Sequence, residues 1–166
     1  MKVGDLSPLE KESLADPLNH IRDGVFLGNL GAAADKDLLR RNNIAVILQI
    51  LDVDWVPFPS EFQYHQVKID DATDVDIYRH FPSCCQVLDE ALANRQNILV
   101  HCHMGQSRSP TVVIAWLMRR YRMTEAEAMA LAVRSRPCVR PNVGFIQQLS
   151  QWAQHISQPI HVNEDT

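Results

Sequence analysis

Asn97-Ile98-Leu99-Val100-His101-Cys102-His103-Met104-Gly105-Gln106-Ser107-Arg108-Ser109-Pro110 is the stretch from which the rest of the chain is read. Ile98 to Val100 is an apolar run of buried-strand length. It leads straight into Cys102, and the pattern predicts a helix from about Ser109. Pro110 suits the first turn of that helix, where an N–H has no helical partner anyway. Between strand and helix lies Cys-x5-Arg, with Gly105 at the middle of the loop. A tight loop of this kind turns successive backbone N–H groups inward as an anion nest, and the helix start adds its free N–H groups and positive dipole end. Arg108 supplies a planar two-pronged donor, which a lysine does not. The ligand such a bowl fits is a tetrahedral dianion. A cysteine at its floor occupies the electropositive setting in which thiolates become nucleophiles, so Cys102 is placed to attack phosphorus.

A chain of 166 residues predicts one domain. Its 46% hydrophobic and 22% charged content are those of an ordinary soluble globule. The net charge of −4 gives no general attraction to nucleic acid or an anionic membrane, so any anion site must be local. No apolar stretch reaches the roughly 18–20 residues that span a bilayer. The first residues, Met1 to Asp5, lack a signal-peptide core, and Gly4 stands too late for myristoylation. Cys84, Cys85, Cys102 and Cys138 show no zinc spacing, and no cluster suggests another metal or a cofactor. A nucleophilic cysteine requires a reducing compartment, so cytoplasm or nucleus is expected.

Residues 1–19 read as an N-terminal arm, 20–156 as the single domain and 157–166 as a polar C-terminal tail. Asp23-Gly24 joins two short strands as a hairpin. A short helix over Asp35 to Asn42 is expected, with Asp35 as N-cap. Ile44 to Ile50 and Phe62 to Ile69 read as strands around a loop carrying Trp55 and Phe58, expected to pack on the domain. A helix follows over about Ile77 to Asn94, which Pro82 either starts near Phe81 or kinks. The helix after Arg108 is apolar all round and therefore buried. Thr124-x-x-Glu127 is a capping box, and Asn142 caps a last helix. The order predicts an α/β fold: a central mixed sheet flanked by helices, its phosphate-binding loop between a central strand and a buried helix.

His101-Cys102-x-x-Gly105-x-x-Arg108-Ser109 resembles the signature of the cysteine-dependent protein tyrosine phosphatases. Its Ser107-Arg108-Ser109 ending is similar to the dual-specificity branch, and the short chain to that branch's small atypical type. Val25-Phe26-Leu27-Gly28-Asn29 and Arg140-Pro141-Asn142-Val143-Gly144-Phe145 extend the resemblance over about residues 20–155. It implies hydrolysis of phosphotyrosine and phosphoserine or phosphothreonine through a phosphocysteine. Asp71 stands ten residues before Phe81, as the family's general acid does before its aromatic, with Asp70 the neighbouring alternative. By the same resemblance Ser109 assists the departing sulfur, His101 supports the cysteine, and Asn29 braces the loop. His103, Met104, Gly105, Gln106 and Ser107 are expected to bind phosphate through backbone N–H groups.

Lysines inside the loop, as in phosphoinositide-directed relatives, are missing at 103, 104 and 106. Arg134, Arg136 and Arg140 are candidates for holding a second phosphate or an acidic flank, unless they form only a solvated helix end. The expected partner is a phosphoprotein substrate. The rivals are a catalytically weak phosphoprotein-binding module of the same fold and a phosphatase acting on a non-protein phosphate. Cys84, Cys85 and Cys138 are either packing residues or thiols able to bridge an oxidised Cys102, with Cys85 favoured narrowly.

Overall fold

The structure, a computed structural model, describes residues 15–157 together with Ser7, Pro8 and Lys11. Most of the arm and the tail beyond Ser157 lie outside the described residues. Strand β1 (Leu18–Arg22) turns at Asp23-Gly24 into β2 (Val25–Gly28) and pairs with it antiparallel. The arm boundary expected after residue 19 therefore falls inside β1. Helices α1 (Leu30–Ala34) and α2 (Lys36–Arg41) follow, then β3 (Ile44–Leu51) and β4 (Gln63–Lys68). The sequence showed α2 with its cap, for Asp35 accepts from Leu38 N at 2.9 Å. It did not show α1, a single turn and a half capped by Asn29.

A 3₁₀ turn (Tyr78–His80) precedes α3 (Phe81–Ala93), so Pro82 falls in the first turn rather than kinking a longer helix. Strand β5 (Asn97–His101) leads through the Cys102–Ser107 loop into α4 (Arg108–Tyr121), followed by α5 (Glu125–Ser135) and α6 (Val143–Ser157). The Thr124–Glu127 capping box closes in both directions.

The five-stranded sheet runs β1-β2-β5-β3-β4, mixed because only β1 is antiparallel to its neighbour. β5 lies at its centre with parallel partners on both sides, so it is covered on both faces. Side chains alternate along a strand. Ile98 and Val100 accordingly enter one core with α4, while Leu99 enters the second with Ile47, Ala33 and Leu39. Trp55 and Phe58 pack against that second core, as expected. Val112 to Met118 of α4 are at most 1% exposed. A helix gripped on all sides cannot shift its N-terminus, and the loop at that N-terminus inherits the rigidity.

Candidate active site

The loop from Cys102 to Ser107 is held from behind by its carbonyls. His103 O accepts from Leu30 N (2.9 Å), Met104 O from Arg136 Nη2 (3.1 Å), Gly105 O from Arg136 Nε (2.9 Å) and Gln106 O from Arg140 N (2.7 Å). In a planar trans peptide the N–H of the next residue points opposite to the C=O. Four outward carbonyls therefore turn the N–H groups of residues 104 to 107 inward. One of them, Gly105 N–H, reaches Cys102 Sγ at 3.2 Å.

Gly105 makes the turn at φ 65°, and a Cβ there would lie 2.6 Å from Gly28 O and 2.9 Å from Arg136 Nη2. A left-handed backbone costs a non-glycine residue about 1–2 kcal/mol, and the Gly28 carbonyl has no room to yield within β2. Gly105→Ala is expected to lower kcat/KM by ~10²-fold, the effect of a 1 Å displacement of a reacting group. Steady-state kinetics beside a denaturation midpoint will separate displacement from unfolding.

Cys102 is 2% exposed, and Ser109 Oγ donates to its sulfur at 3.1 Å. Arg108, 7% exposed, donates from Nη1 to Ile69 O (3.1 Å) and to Asp52 Oδ1 (3.3 Å). Its Nε is buried without a hydrogen-bond partner in the protein. Such a donor carries a desolvation penalty of about 1–3 kcal/mol, which an anion oxygen placed against it removes. Asp52, exposed at the end of β3, is held below the usual carboxylate range first by its own backbone N–H and then by Arg108.

Asp71 reaches the loop. Its Oδ1 accepts from Ser107 Oγ at 2.7 Å and from Asn142 Nδ2 at 2.9 Å, and Ser107 Oγ in turn accepts from Asn142 N at 3.0 Å. Asp70 instead accepts from the Asp71 backbone N–H, a local turn contact. His101 is buried, with Nδ1 3.1 Å from Cys102 O and Nε2 3.2 Å from Gln49 Oε1. Gln49 spends its amide N–H on Trp55 O (2.7 Å), which fixes the oxygen toward the imidazole. Burial, aided by the Arg108 charge, pushes His101 down to about 4, so the ring is neutral at neutral pH.

One expectation changes. Arg136 is 0% exposed, and all its nitrogens are turned to protein oxygens behind the loop, so it cannot face a second phosphate. Asn29 caps α1, its Oδ1 accepting from Ala32 N at 3.0 Å, and the next residue, Leu30, donates its N–H to His103 O of the loop. Arg134 is exposed at the end of α5, whereas Arg140 is exposed and adjoins the loop through its backbone.

The reading from sequence missed the Ser107 hydroxyl, Asp52, Gln49 and the Asn142 amide. Only Asn142 carried a signal, as the cap after Pro141. Burial pushes the Cys84 and Cys85 thiols up to about 12 and about 11, so neither is a ready thiolate for bridging Cys102. Among the described residues no group of three or more His, Cys, Asp or Glu is placed to hold a metal ion.

The family model for the dual specificity phosphatase catalytic domain matches residues 25–155. The chain is 36% identical over 139 residues to dual specificity protein phosphatase 1B of Arabidopsis thaliana, covering 84% of this chain and 83% of that protein. Against dual specificity protein phosphatase 1 of the same plant it is 37% identical over 129 residues, covering 78% of this chain and 65% of that protein. Human DUSP28 superposes with a TM-score of 0.82 at 26% identity, covering 86% of this chain and 96% of that one.

Proposed function

The chain belongs to the dual specificity phosphatases, and from that premise we propose that Cys102, Arg108, Asp71 and Ser109 carry its reaction on phosphoproteins. The Cys102 thiolate attacks phosphorus in line. The P–O bond to the substrate breaks, and the departing oxygen takes the Asp71 carboxyl proton. Arg108 and the inward N–H groups of residues 104 to 107 hold the three equatorial oxygens, whose charge grows in the transition state. Water then attacks the phosphocysteine, the Asp71 carboxylate takes its proton, and the S–P bond breaks with Ser109 Oγ–H supporting the released thiolate.

The observation that carries this reading is the tether of Asp71 to Ser107 at 2.7 Å. A carboxylate reached from another loop, 31 residues before the nucleophile, has no structural need to lie against the phosphate loop. Hydrolysis of an aryl phosphate without added metal tests the reaction. A Cys102→Ser or Asp71→Ala trap that retains phosphorylated proteins tests the substrate class.

Ser109→Ala is expected to lower kcat about 10–100-fold, the worth of one hydrogen bond to a charged group. The first step, and with it kcat/KM, changes far less. Stopped-flow release of the phenol would then show a burst of one equivalent followed by slow turnover.

Support for a protein rather than a polyphosphorylated lipid comes from the loop residues His103, Met104 and Gln106, none of which is a lysine. With Arg136 behind the loop, Arg134 and Arg140 are the remaining candidates for contacting an acidic group beside the scissile phosphate, Arg140 being the one whose backbone adjoins the loop. The location proposed is cytoplasm or nucleus, which keeps the thiol reduced. Among the described residues no helix is long and apolar enough to cross a membrane.

A further inference from the structure

Arg136 is among the largest fully buried side chains, yet none of the ion pairs among the described residues includes it. A buried guanidinium ordinarily has a carboxylate partner, because hydrogen bonds alone leave its charge uncompensated. Here four oxygens of the uncharged kind surround it. Nε donates to Gly105 O (2.9 Å), Nη2 to Met104 O (3.1 Å), and Nη1 to both Asp16 O and Asn19 Oδ1 (2.7 Å each). The neighbouring carboxylate, Asp16, stands one bond further out, accepting from Asn19 Nδ2 at 2.7 Å.

We propose that Arg136 is a positioning residue that gives the phosphate loop both its shape and part of its positive charge, and that the Asp16–Asn19 pair at the start of the hairpin belongs to the catalytic unit through it. The proposal rests on the phosphatase reading of the loop. The path is short and directed. Arg136 Nη2 polarises the Met104 carbonyl, the same peptide presents the Gly105 N–H, and that N–H meets Cys102 Sγ at 3.2 Å. Arg136 Nε does likewise for the peptide that presents the Gln106 N–H. Hydrogen bonds in a chain strengthen one another. The cation, left without a carboxylate among the described residues, finds its counter-charge in the dianion that enters on the other side of the loop.

A charge-neutral swap isolates the effect. In the double variant Asp16→Asn, Asn19→Asp, Arg136 Nη1 still donates to the side-chain oxygen at 19, and the bond between 16 and 19 forms with donor and acceptor exchanged. The carboxylate moves from one bond away to direct contact with Arg136, while the chain's net charge is unchanged. Two readouts follow the charge: the inhibition constant for inorganic phosphate, and the ratio of Cys102 alkylation rates by anionic iodoacetate and neutral iodoacetamide.

The swap is expected to weaken phosphate inhibition several-fold and to lower the alkylation ratio by a similar factor, with the denaturation midpoint retained. Arg136→Met should lower both by roughly ten- to a hundredfold, and Arg136→Lys should restore most of the ratio but not kcat. If Arg136→Met does not fold, the swap variant decides alone. A folded swap variant with wild-type phosphate inhibition and alkylation ratio would overturn the proposal. A wild-type protein inert toward phosphate esters would instead overturn the phosphatase reading, and the alkylation ratio would still report on Arg136.

Discussion

Cys102→Ser is expected to abolish aryl phosphate hydrolysis, and Arg108→Lys to lower kcat/KM at least about a hundredfold, because lysine loses the two-pronged grip. The two losses have different physical origins. Serine at position 102 keeps the shape of the floor, but an alcohol is not ionised there and cannot attack phosphorus at a useful rate. Its Oγ still receives the Gly105 and Ser109 hydrogen bonds that now go to sulfur at 3.2 and 3.1 Å. The variant should therefore bind phosphorylated ligand at close to wild-type affinity while turning none over.

Lysine at position 108 keeps a positive charge, but a single ammonium cannot satisfy Ile69 O and Asp52 on one side and two phosphate oxygens on the other. Its deficit should appear in kcat as much as in KM, since the equatorial oxygens gain charge in the transition state. Steady-state assay of purified variants measures both. Undiminished activity of Cys102→Ser would remove the thiolate mechanism.

Asp71→Asn is expected to lower kcat for an alkyl phosphate or a poor phenol leaving group by about 10²–10⁴-fold, the usual worth of a general acid. The variant should also lose the basic limb of the pH–rate profile, because that limb reports the acid giving up its proton. The loss should shrink as the leaving group becomes more acidic and needs less protonation. Asparagine can still accept from Ser107 and Asn142 through its carbonyl oxygen, so the loop position is preserved and the proton alone is removed. Asp70→Asn breaks only a local turn contact and should keep the profile. A profile that is flattened by Asp70→Asn and kept by Asp71→Asn would transfer the acid to Asp70.

Much of this site is legible because its parts lie close in sequence. Strand, cysteine, glycine, arginine, serine and buried helix occupy 97 to 121 without interruption, so hydrophobic pattern and loop chemistry together indicate an anion bowl. The capping box and the Asp35 cap are legible for the same reason, since each needs only neighbours three residues apart. The hairpin at Asp23-Gly24 is likewise a local signal.

What composition and pattern alone could not settle is which distant side chains complete the bowl. Gln49 and Asp52 at the end of β3, Asp71 after β4 and Arg136 after α5 come to it from three different segments, brought together by the parallel crossover that sets β5 between β2 and β3. Arg136 is the sharpest case. Its place in a run of arginines suggests a solvent-facing hand for a second phosphate, yet the turn after α5 buries it against the back of the loop. The charge is the same in either position. The sequence of this protein determined that a thiol and a guanidinium share an anion-binding loop ahead of a buried helix. Only the tertiary structure decided which arginine faces the anion and which supports it from behind, because burial depends on what packs from elsewhere in the chain and not on the residue's own neighbours.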